Sequence, residues 1–217
     1  MLFTEMMKGK SLLRTLTNEW LSKLTIDGHG IDLGSKSHAS SYYRFIKKSD
    51  SCQILFTDMT PQTPEVITLN LEKPIPIEND TKDFLILMFV LEHLYDHNFC
   101  LSECYRILKP GKRLIGGVPF IYRVHLDPDD NFRFAQNGIE KILKQAGFSK
   151  IEIIPLGYGP FSAGTSLFSG IFKVKILVWA ITYMSILADK FFQKIFKNHN
   201  RIKAENFPLA YGFIATK

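Results

Sequence analysis

The sequence predicts an α/β fold in which helices cover a mostly parallel sheet. Short β-like runs alternate with helical segments, and this alternation is typical of parallel sheets with right-handed crossovers. Residues 84–89 form a continuous apolar run, as strands buried on both faces of a sheet do. The 217 residues, of which 46% are hydrophobic and 22% charged, suffice for one domain with a substantial core.

Seven strands are predicted from apolar and β-branched runs, most of which end at a turn residue. They cover residues 29–33, 53–57, 65–69, 84–89, 113–118, 150–154 and 209–216. Gly34, Asp58 and Asn70 follow the first three strands, and Pro119 and Pro155 follow two later ones. Since ligands of such sheets bind at the carboxyl ends of the strands, the residues just after each strand are the candidates for a site.

Helices are predicted between these strands. Asp96 is a candidate N-cap for a helix that places Leu101, Cys104, Tyr105 and Leu108 on one face and stops at 109–111. A second helix over 135–146 ends at Gly147, a residue suited to a left-handed cap. A further helix is expected to begin near Ser40, after the first strand.

Cysteine content, net charge and hydropathy limit the classes of protein. Three cysteines are too few for a disulfide scaffold, so a reducing, cytoplasmic location is expected. No uncharged run reaches the roughly 18 apolar residues of a membrane-spanning helix. Residues 167–217 carry eight basic and two acidic residues and therefore the whole net charge of +6. The neutral remainder disfavours a nucleic-acid-binding body, and the basic segment favours an anionic partner.

A tempting metal stripe is rejected on distance. His93, His97, Cys100 and Cys104 recur at helical spacing. The first and last of them are about 16 Å apart along a helix, whereas zinc ligands lie about 2.0–2.3 Å from the ion. At most two neighbours of this stripe could ligate together, so we predict no metal site formed by the stripe and interpret the two cysteines as small core residues.

Two strand ends suggest a nucleotide-like ligand. Gly34 allows a close backbone approach after the first strand, and the helix expected there would offer free N–H groups to an anion. Asp58 follows the second strand, where an acid can accept hydrogen bonds from a ribose diol.

Longer motifs carry a family resemblance. The segment from Asn70 to Asp80 leads into the run 83–87, then Leu91-Glu92-His93-Leu94, and later Leu108-Lys109-Pro110-Gly111. This succession resembles the class I S-adenosylmethionine-dependent methyltransferases of the small-molecule type, and within them a branch met in cell-surface glycan biosynthesis. The resemblance covers roughly residues 28–148. It implies a Rossmann-like fold with an antiparallel last strand and S-adenosylmethionine as cofactor.

The resemblance also implies roles for matching residues. Asp32, Gly34 and Ser35 would hold the amino-acid end of the cofactor, Asp58 the ribose, Asn70 and Leu71 the adenine, and Phe89 the methionine moiety, while Glu92 and His93 would shape the loop after the fourth strand. The sequence departs from the family where Lys36, His38 and Lys112 replace glycines and Asn70 replaces aspartate. These departures leave a second interpretation open, a non-catalytic relative with a decayed cofactor pocket that acts as a partner at a membrane.

The segment after the fifth strand holds the catalytic candidates. His125 is the natural base for a hydroxyl acceptor, because its ordinary pKa is about 6.5. Asp127 or Asp130 would orient it, and these acids together with Tyr122 and Arg133 would contact substrate. Similar methyltransferases often show such a His-x-x-Pro-x-Asp-x-x-Arg pattern here. In the alternative interpretation, Arg133 and the acids only tie down the loop.

The C-terminal region is apolar over 161–196 and has no charge over 176–188. Lys190, Lys194, Lys197 and Arg201 then recur on one helical face, opposite Phe191, Phe192, Ile195 and Phe196. This pattern is typical of a helix in a membrane interface. A core-packing helix or a homodimer seam with a solvated basic face would show the same pattern.

We therefore expect a methyltransferase core over 1–160, a helical insertion over 161–205 and a final core strand over 206–217. The expected reaction is O-methylation of a sugar or a lipid-linked glycan precursor. The expected place is the cytoplasm, with peripheral attachment to the inner, anionic face of a membrane as the further expectation.

Overall fold

The computed structural model describes residues 2–35, 40–61, 63–169, 174–196 and 202–217. Nine strands lie in the described residues. They are β1 (Thr25–Ile26), β2 (His29–Leu33), β3 (Lys47–Lys48), β4 (Gln53–Asp58), β5 (Val66–Thr68), β6 (Lys82–Met88), β7 (Leu108–Pro119), β8 (Lys150–Leu156) and β9 (Ala210–Thr216). β1 and β3 form a small parallel pair, and the other seven strands form one sheet.

The large sheet confirms the predicted fold class. Its strand order is β5-β4-β2-β6-β7-β9-β8. The first five strands in that order run parallel, whereas β9 is antiparallel to both β7 and β8. From β2 the chain moves outward to β5 and then returns to β6 on the other side of β2. The carboxyl ends of β2 and β6 therefore form the switch point at which open α/β sheets bind their ligands.

Six helices accompany the sheet in the described residues. They are α1 (Leu2–Met7), α2 (Leu12–Leu21), α3 (His97–Ile107), α4 (Gln136–Gln145), α5 (Pro160–Phe168) and α6 (Lys175–Ile195). The predicted cap of α3 is confirmed, because the Asp96 side chain accepts a hydrogen bond from the Phe99 N–H at 3.0 Å. Gly147, with φ +107°, ends α4 in the left-handed region as predicted. β7 begins directly after α3, so 109–111 start the strand.

The prediction of a helix near Ser40 is wrong. A single 3₁₀ turn, Ser41–Arg44, stands in its place. Tyr42 is turned into the protein, 3% exposed, and its hydroxyl donates to the Asp32 carboxylate. The Ser41 hydroxyl donates to the Asn18 side chain at 3.3 Å. These contacts draw the segment toward α2 and compete with a regular helix, for which serine and tyrosine have modest propensity.

Core residues cover both faces of the sheet, which is why β6 is apolar from Phe84 to Met88. Leu85 and Leu87 face a core shared with α3 and α4. Phe84, Ile86 and Met88 face a second core, to which α2, α5 and α6 contribute. Trp20 of α2 lies against Gly212 of β9, where an added Cβ would meet the indole ring at 2.7 Å.

α5 and α6 lie between β8 and β9, inside the segment expected as an insertion. The side of α6 that faces the protein is mainly polar: Thr182, Ser185 and Asp189 are buried there together with Ile186. Both carboxylate oxygens of Asp189 accept hydrogen bonds from the first N–H groups of α5, those of Phe161 and Ser162, at 2.9 Å. By length and composition, α6 is one helix among the described residues that could cross a membrane.

Candidate active site

A cleft of about 470 Å³ opens at the carboxyl ends of β2, β6 and β7. Its walls come from four segments, and three of them follow strands, as expected from the fold. They are the turn before α2 with α2 itself (Lys10, Ser11, Leu13, Arg14), the segment after β2 (Gly34, Ser35, Ser40, Ser41, Tyr42), the end of β6 with the loop beyond it (Met88, Phe89, His93), and the end of β7 with its loop (Pro119, Tyr122, His125, Asp127).

The turn after β2 is a tight backbone feature. Gly34 has φ +79°, and an added Cβ would lie 2.5 Å from a methyl group of Val90. The N–H groups of Gly34 and Ser35 both donate to the carbonyl oxygen of Thr57, at 2.8 and 2.9 Å. Ser35 is 7% exposed, and its buried hydroxyl has no partner within the described protein. A buried hydroxyl without a partner on a cleft wall is a group that a ligand can satisfy.

Asp32 lies behind this wall rather than on it. It is 1% exposed, and its carboxylate accepts a hydrogen bond from the hydroxyl of Tyr42. Tyr42 itself lines the cleft. Burial raises the pKa of Asp32 to about 8; the Tyr42 hydrogen bond opposes this rise and the nearby charge of Asp58 adds to it. In the free protein Asp32 is therefore largely protonated at neutral pH.

The residues predicted to hold the ribose and the adenine lie at the neighbouring strand ends. Asp58, at the end of β4, is 7% exposed and accepts from the Thr60 N–H at 2.8 Å. The Asn70 side chain accepts from the Glu72 N–H at 2.9 Å, which orders the turn after β5. The Leu71 side chain is buried in the core shared with α3 and α4, so only its backbone is free to meet a ligand.

Phe89 follows β6 in a conformation that is rare for a non-glycine residue, with φ +59°. Its N–H donates to the Gly117 carbonyl oxygen at 2.8 Å, which anchors it to β7. Such backbone outliers cluster at functional sites. Phe89 lines the cleft, and its predicted contact with the methionine moiety stays a prediction.

Glu92, His93 and His125 converge beside the cleft. The Nε2 atoms of His93 and His125 each lie 3.8 Å from Glu92 Oε1, and the two imidazole rings are 4.9 Å apart. Glu92 is fully buried and neither carboxylate oxygen has a hydrogen-bond partner. Burial raises the pKa of Glu92 to about 8, and burial also lowers the pKa of His125. Among the described residues this is a set of three side chains with the spacing to hold a metal ion.

Asp130 and Arg133 are not among the residues lining the cleft. Arg133 donates to both Asp130 oxygens, with its NH2 group 2.7 Å from Oδ2, and also to the Phe132 carbonyl oxygen at 2.8 Å. The His125 N–H donates to Asp130 Oδ2 at 2.8 Å. Arginine holds the pKa of Asp130 well below its usual range. These contacts are the ones expected if the pair ties down the loop that carries His125, and a substrate contact of Asp130 or Arg133 stays a prediction.

Tyr122 and Asp127 line the cleft where substrate contacts were predicted. The Tyr122 ring packs edge-on against His125, with ring centroids 5.1 Å apart. Two residues at which the sequence departs from the family's glycines lie outside the described residues, namely Lys36 and His38. A third, Lys112, sits at the amino end of the sheet, 3.3 Å from Asp83, and so does not enter the cleft.

The rejected metal stripe is divided by the structure. His93 precedes α3 and faces Glu92, whereas the His97 ring packs on Phe132 and Phe134.

Sequence reasoning missed Tyr42 and the cleft wall formed by α2 and the turn before it. The signal for α2 was present in Ser11 followed by apolar residues at helical spacing, and Ser11 does cap the helix by accepting from the Arg14 N–H at 3.2 Å.

A second cavity, of about 530 Å³, adjoins the first and shares Lys10, Ser11 and Tyr122 with it. It lies between the α1–α2 hairpin and the α5–α6 hairpin. Its lining mixes apolar side chains with basic ones: Met6, Leu12, Leu167, Val178 and Trp179 with Arg123 and Lys175.

Comparison with known proteins agrees with this geometry. Residues 19–116 match the family described as "Methyltransferase domain". No curated protein matches the chain. A SAM-dependent methyltransferase structure from Archaeoglobus fulgidus has a TM-score of 0.58 at 15% identity and covers 94% of each chain. Phosphoethanolamine N-methyltransferase 2 of Haemonchus contortus, in complex with S-adenosyl-L-methionine, has a TM-score of 0.53 at 14% identity; 93% of this chain matches 52% of that one.

One structural neighbour carries a different activity. The [4+2]-cyclase SpnF has a TM-score of 0.57 at 13% identity and covers 93% of this chain and 80% of its own. At such identities the likeness concerns the fold, and a fold hosts more than one chemistry. The family match runs from within α2 to most of β7 and includes β2 and β6, whereas the carboxyl end of β7 that lines the cleft lies beyond it. Residues 19–116 thus match a methyltransferase domain on the class I Rossmann-like fold, for which S-adenosylmethionine is the indicated cofactor.

Proposed function

We propose that the protein transfers a methyl group from S-adenosylmethionine to a hydroxyl oxygen of a sugar or a lipid-linked glycan precursor. The observation that carries the proposal is the composition of the one cleft at the switch point. Ser35 and Phe89, which follow β2 and β6, are the residues expected to contact the cofactor. They line the same cavity as Tyr122 and His125, which follow β7 and are expected to contact the methyl acceptor. The choice of a sugar among hydroxyl acceptors rests on the motif resemblance.

The residues present fit the cofactor. The unpartnered Ser35 hydroxyl and the backbone at Gly34 can receive its amino-acid end, with Asp32 supplying negative charge from behind once ionised. Asp58 stands at the end of β4, where an acid can accept from both ribose hydroxyls. Asn70 retains an amide oxygen in place of the family's carboxylate. When bound, S-adenosylmethionine supplies a methyl carbon on a sulfonium, whose bond to sulfur breaks as the bond to the acceptor oxygen forms.

On the acceptor side, the protein must align a hydroxyl and take its proton. His125 borders the cleft, Tyr122 packs against its ring, and Asp130 holds its backbone in place. We assign the proton-accepting position to His125. Asp127, on the same loop, is placed to accept a hydrogen bond from a second hydroxyl of a polyol.

The exposed surface of α5 and α6 supports a second part of the proposal, attachment to an anionic membrane. α6 buries its polar side and turns its apolar side outward, with Ile176 68% and Phe191 59% exposed. Leu167 and Phe168 of α5 continue this apolar surface, and Lys190 and Lys194 lie near its end. The mixed second cavity between these helices and the cleft could lead a lipid-linked acceptor to His125. The same apolar surface could instead bind a second copy of this chain.

The central test measures cofactor binding and turnover together. Calorimetry with S-adenosylhomocysteine should show one site per chain. Protein incubated with methyl-labelled S-adenosylmethionine and a lipid extract or sugar-nucleotide pool should transfer label to a base-stable product, because ethers resist alkaline hydrolysis and methyl esters do not. A folded protein that binds no S-adenosylhomocysteine would instead be the non-catalytic relative.

A further inference from the structure

We infer that Glu92, His93 and His125 form a divalent-cation site at the acceptor end of the cleft. Two imidazole nitrogens and one carboxylate oxygen approach one another within 4.8 Å, although His125 is distant in sequence from the other two residues. His93 and His125 also line the cleft, so an ion held between them would keep coordination positions open to it. Only the role of the ion in catalysis rests on the proposed function; the metal site itself does not.

The spacing of the three groups suits a metal. Ligands about 2.0–2.2 Å from a tetrahedral ion lie about 3.3–3.6 Å from each other. Both Nε2 atoms are 3.8 Å from Glu92 Oε1, so each gap needs to close only by a few tenths of an ångström. The same gaps are too long for hydrogen bonds, so the three side chains face one another without bonding.

The outer partners of the two imidazoles turn the same nitrogen of each ring toward the centre. His93 Nδ1 donates to the Asp129 carbonyl oxygen at 2.5 Å, so Nε2 is the ring nitrogen that faces Glu92. His125 Nδ1 faces Asp130 Oδ2 at 3.5 Å, so its Nε2 also points at Glu92. A carbonyl or carboxylate behind each ring is the arrangement that orients histidine ligands in metal sites.

The burial of Glu92 without a hydrogen-bond partner is a second, independent observation that indicates a ligand. Its side chain is fully buried beside the cleft, and both carboxylate oxygens lack a hydrogen-bond partner among the described residues. Buried carboxylates ordinarily have hydrogen bonds, a charge partner or a metal. The charge of Arg133 acts on Glu92, but its guanidinium group donates its hydrogen bonds to Asp130 and to backbone carbonyl oxygens. A cation between the imidazoles would satisfy Glu92 at once.

Two histidines and one carboxylate suit zinc, manganese or iron(II) better than calcium or magnesium, which prefer oxygen ligands. An acceptor hydroxyl filling an open position would become more acidic, because a bound dication stabilises the oxyanion. In the metal-bound protein His125 would thus act on the acceptor through the ion. The oxygen of the acceptor hydroxyl would already be polarised by the ion when it reaches the methyl carbon. The proton of that hydroxyl would pass to solvent.

Metal binding can be measured without turnover. Tag-free protein, stripped by chelator and dialysed, should bind one Mn²⁺ or Zn²⁺ per chain by calorimetry. Glu92→Gln, which keeps the side-chain shape, and His125→Asn should each weaken that binding at least about tenfold, since even outer-shell changes cost 10–100-fold. His97→Gln is the matched control, because this histidine is only four residues from His93 but packs on Phe132 and Phe134. Mn²⁺ guards against thiol binding at Cys100 and Cys104.

Absence of stoichiometric binding in the wild type, or unchanged affinity in both Glu92→Gln and His125→Asn, would overturn the inference. Full methyl transfer by chelator-stripped protein would overturn the role of the ion in catalysis. The proposed function fails separately, by loss of S-adenosylhomocysteine binding, and that measurement is made on the stripped protein with and without Mn²⁺.

Discussion

The buried carboxyl of Asp32 makes the stability of the free protein depend on pH. Its ordinary pKa is 3.8, and burial raises the value to about 8 in the folded chain. Between these values the folded state holds a proton that the unfolded state has released. The contribution of Asp32 to stability is therefore fully present below pH 3.8 and is lost as pH rises toward 8.

Asp32→Asn removes this titration while keeping the shape and an acceptor for the Tyr42 hydroxyl. Each pH unit inside the window changes the free energy of unfolding by ~1.4 kcal/mol per proton. The difference in that free energy, variant minus wild type, should therefore rise by about 3 kcal/mol between pH 5 and pH 7. Glu92 titrates in the same direction but is common to both proteins, so it cancels in the difference.

Urea unfolding at pH 5, 6 and 7, followed by the fluorescence of the buried Trp20, measures the difference directly. Asp127→Asn is measured in parallel as the matched control, because this carboxyl lies on the same cleft but is exposed. A difference between Asp32→Asn and wild type that does not change with pH would refute the reasoning. The protein would then hold Asp32 ionised through some compensating positive charge.

Three more outcomes are expected. Asp58→Ala should weaken S-adenosylhomocysteine binding at least about tenfold, because charge-assisted hydrogen bonds contribute about 1.5–3 kcal/mol each; unchanged affinity in the folded variant would remove Asp58 from the site. His125→Ala should lower turnover roughly 10²–10⁴-fold with cofactor binding intact, and a wild-type rate would place the proton elsewhere. The protein should co-sediment with anionic but not neutral vesicles, less so as salt rises, and Phe191→Asp should abolish this. Protein that stays in the supernatant and dimerises through Phe191 would assign the apolar surface to a second copy.

The order of strands and helices could be predicted from the sequence alone, because hydrophobic period and caps are local properties. The strand at 29–33 was predicted at its observed bounds, and the Asp96 cap and the Gly147 helix end are likewise encoded in adjacent residues. Strand ends in a parallel sheet meet at one edge, so the sequence alone indicates that Gly34, Phe89 and His125 lie near one cleft. The helix near Ser40 failed because tertiary contacts outweighed a weak local preference.

Only the tertiary structure decided which charged groups are free for chemistry. Sequence spacing does not reveal that Arg133 pairs with Asp130 or that Lys112 lies beside Asp83 at the far end of the sheet. The meeting of Glu92 with His93 and His125 depends on how the loop after β7 folds back over the loop after β6. The outward apolar side of α6 was equally hidden, because helical periodicity defines two sides but not which one faces the protein.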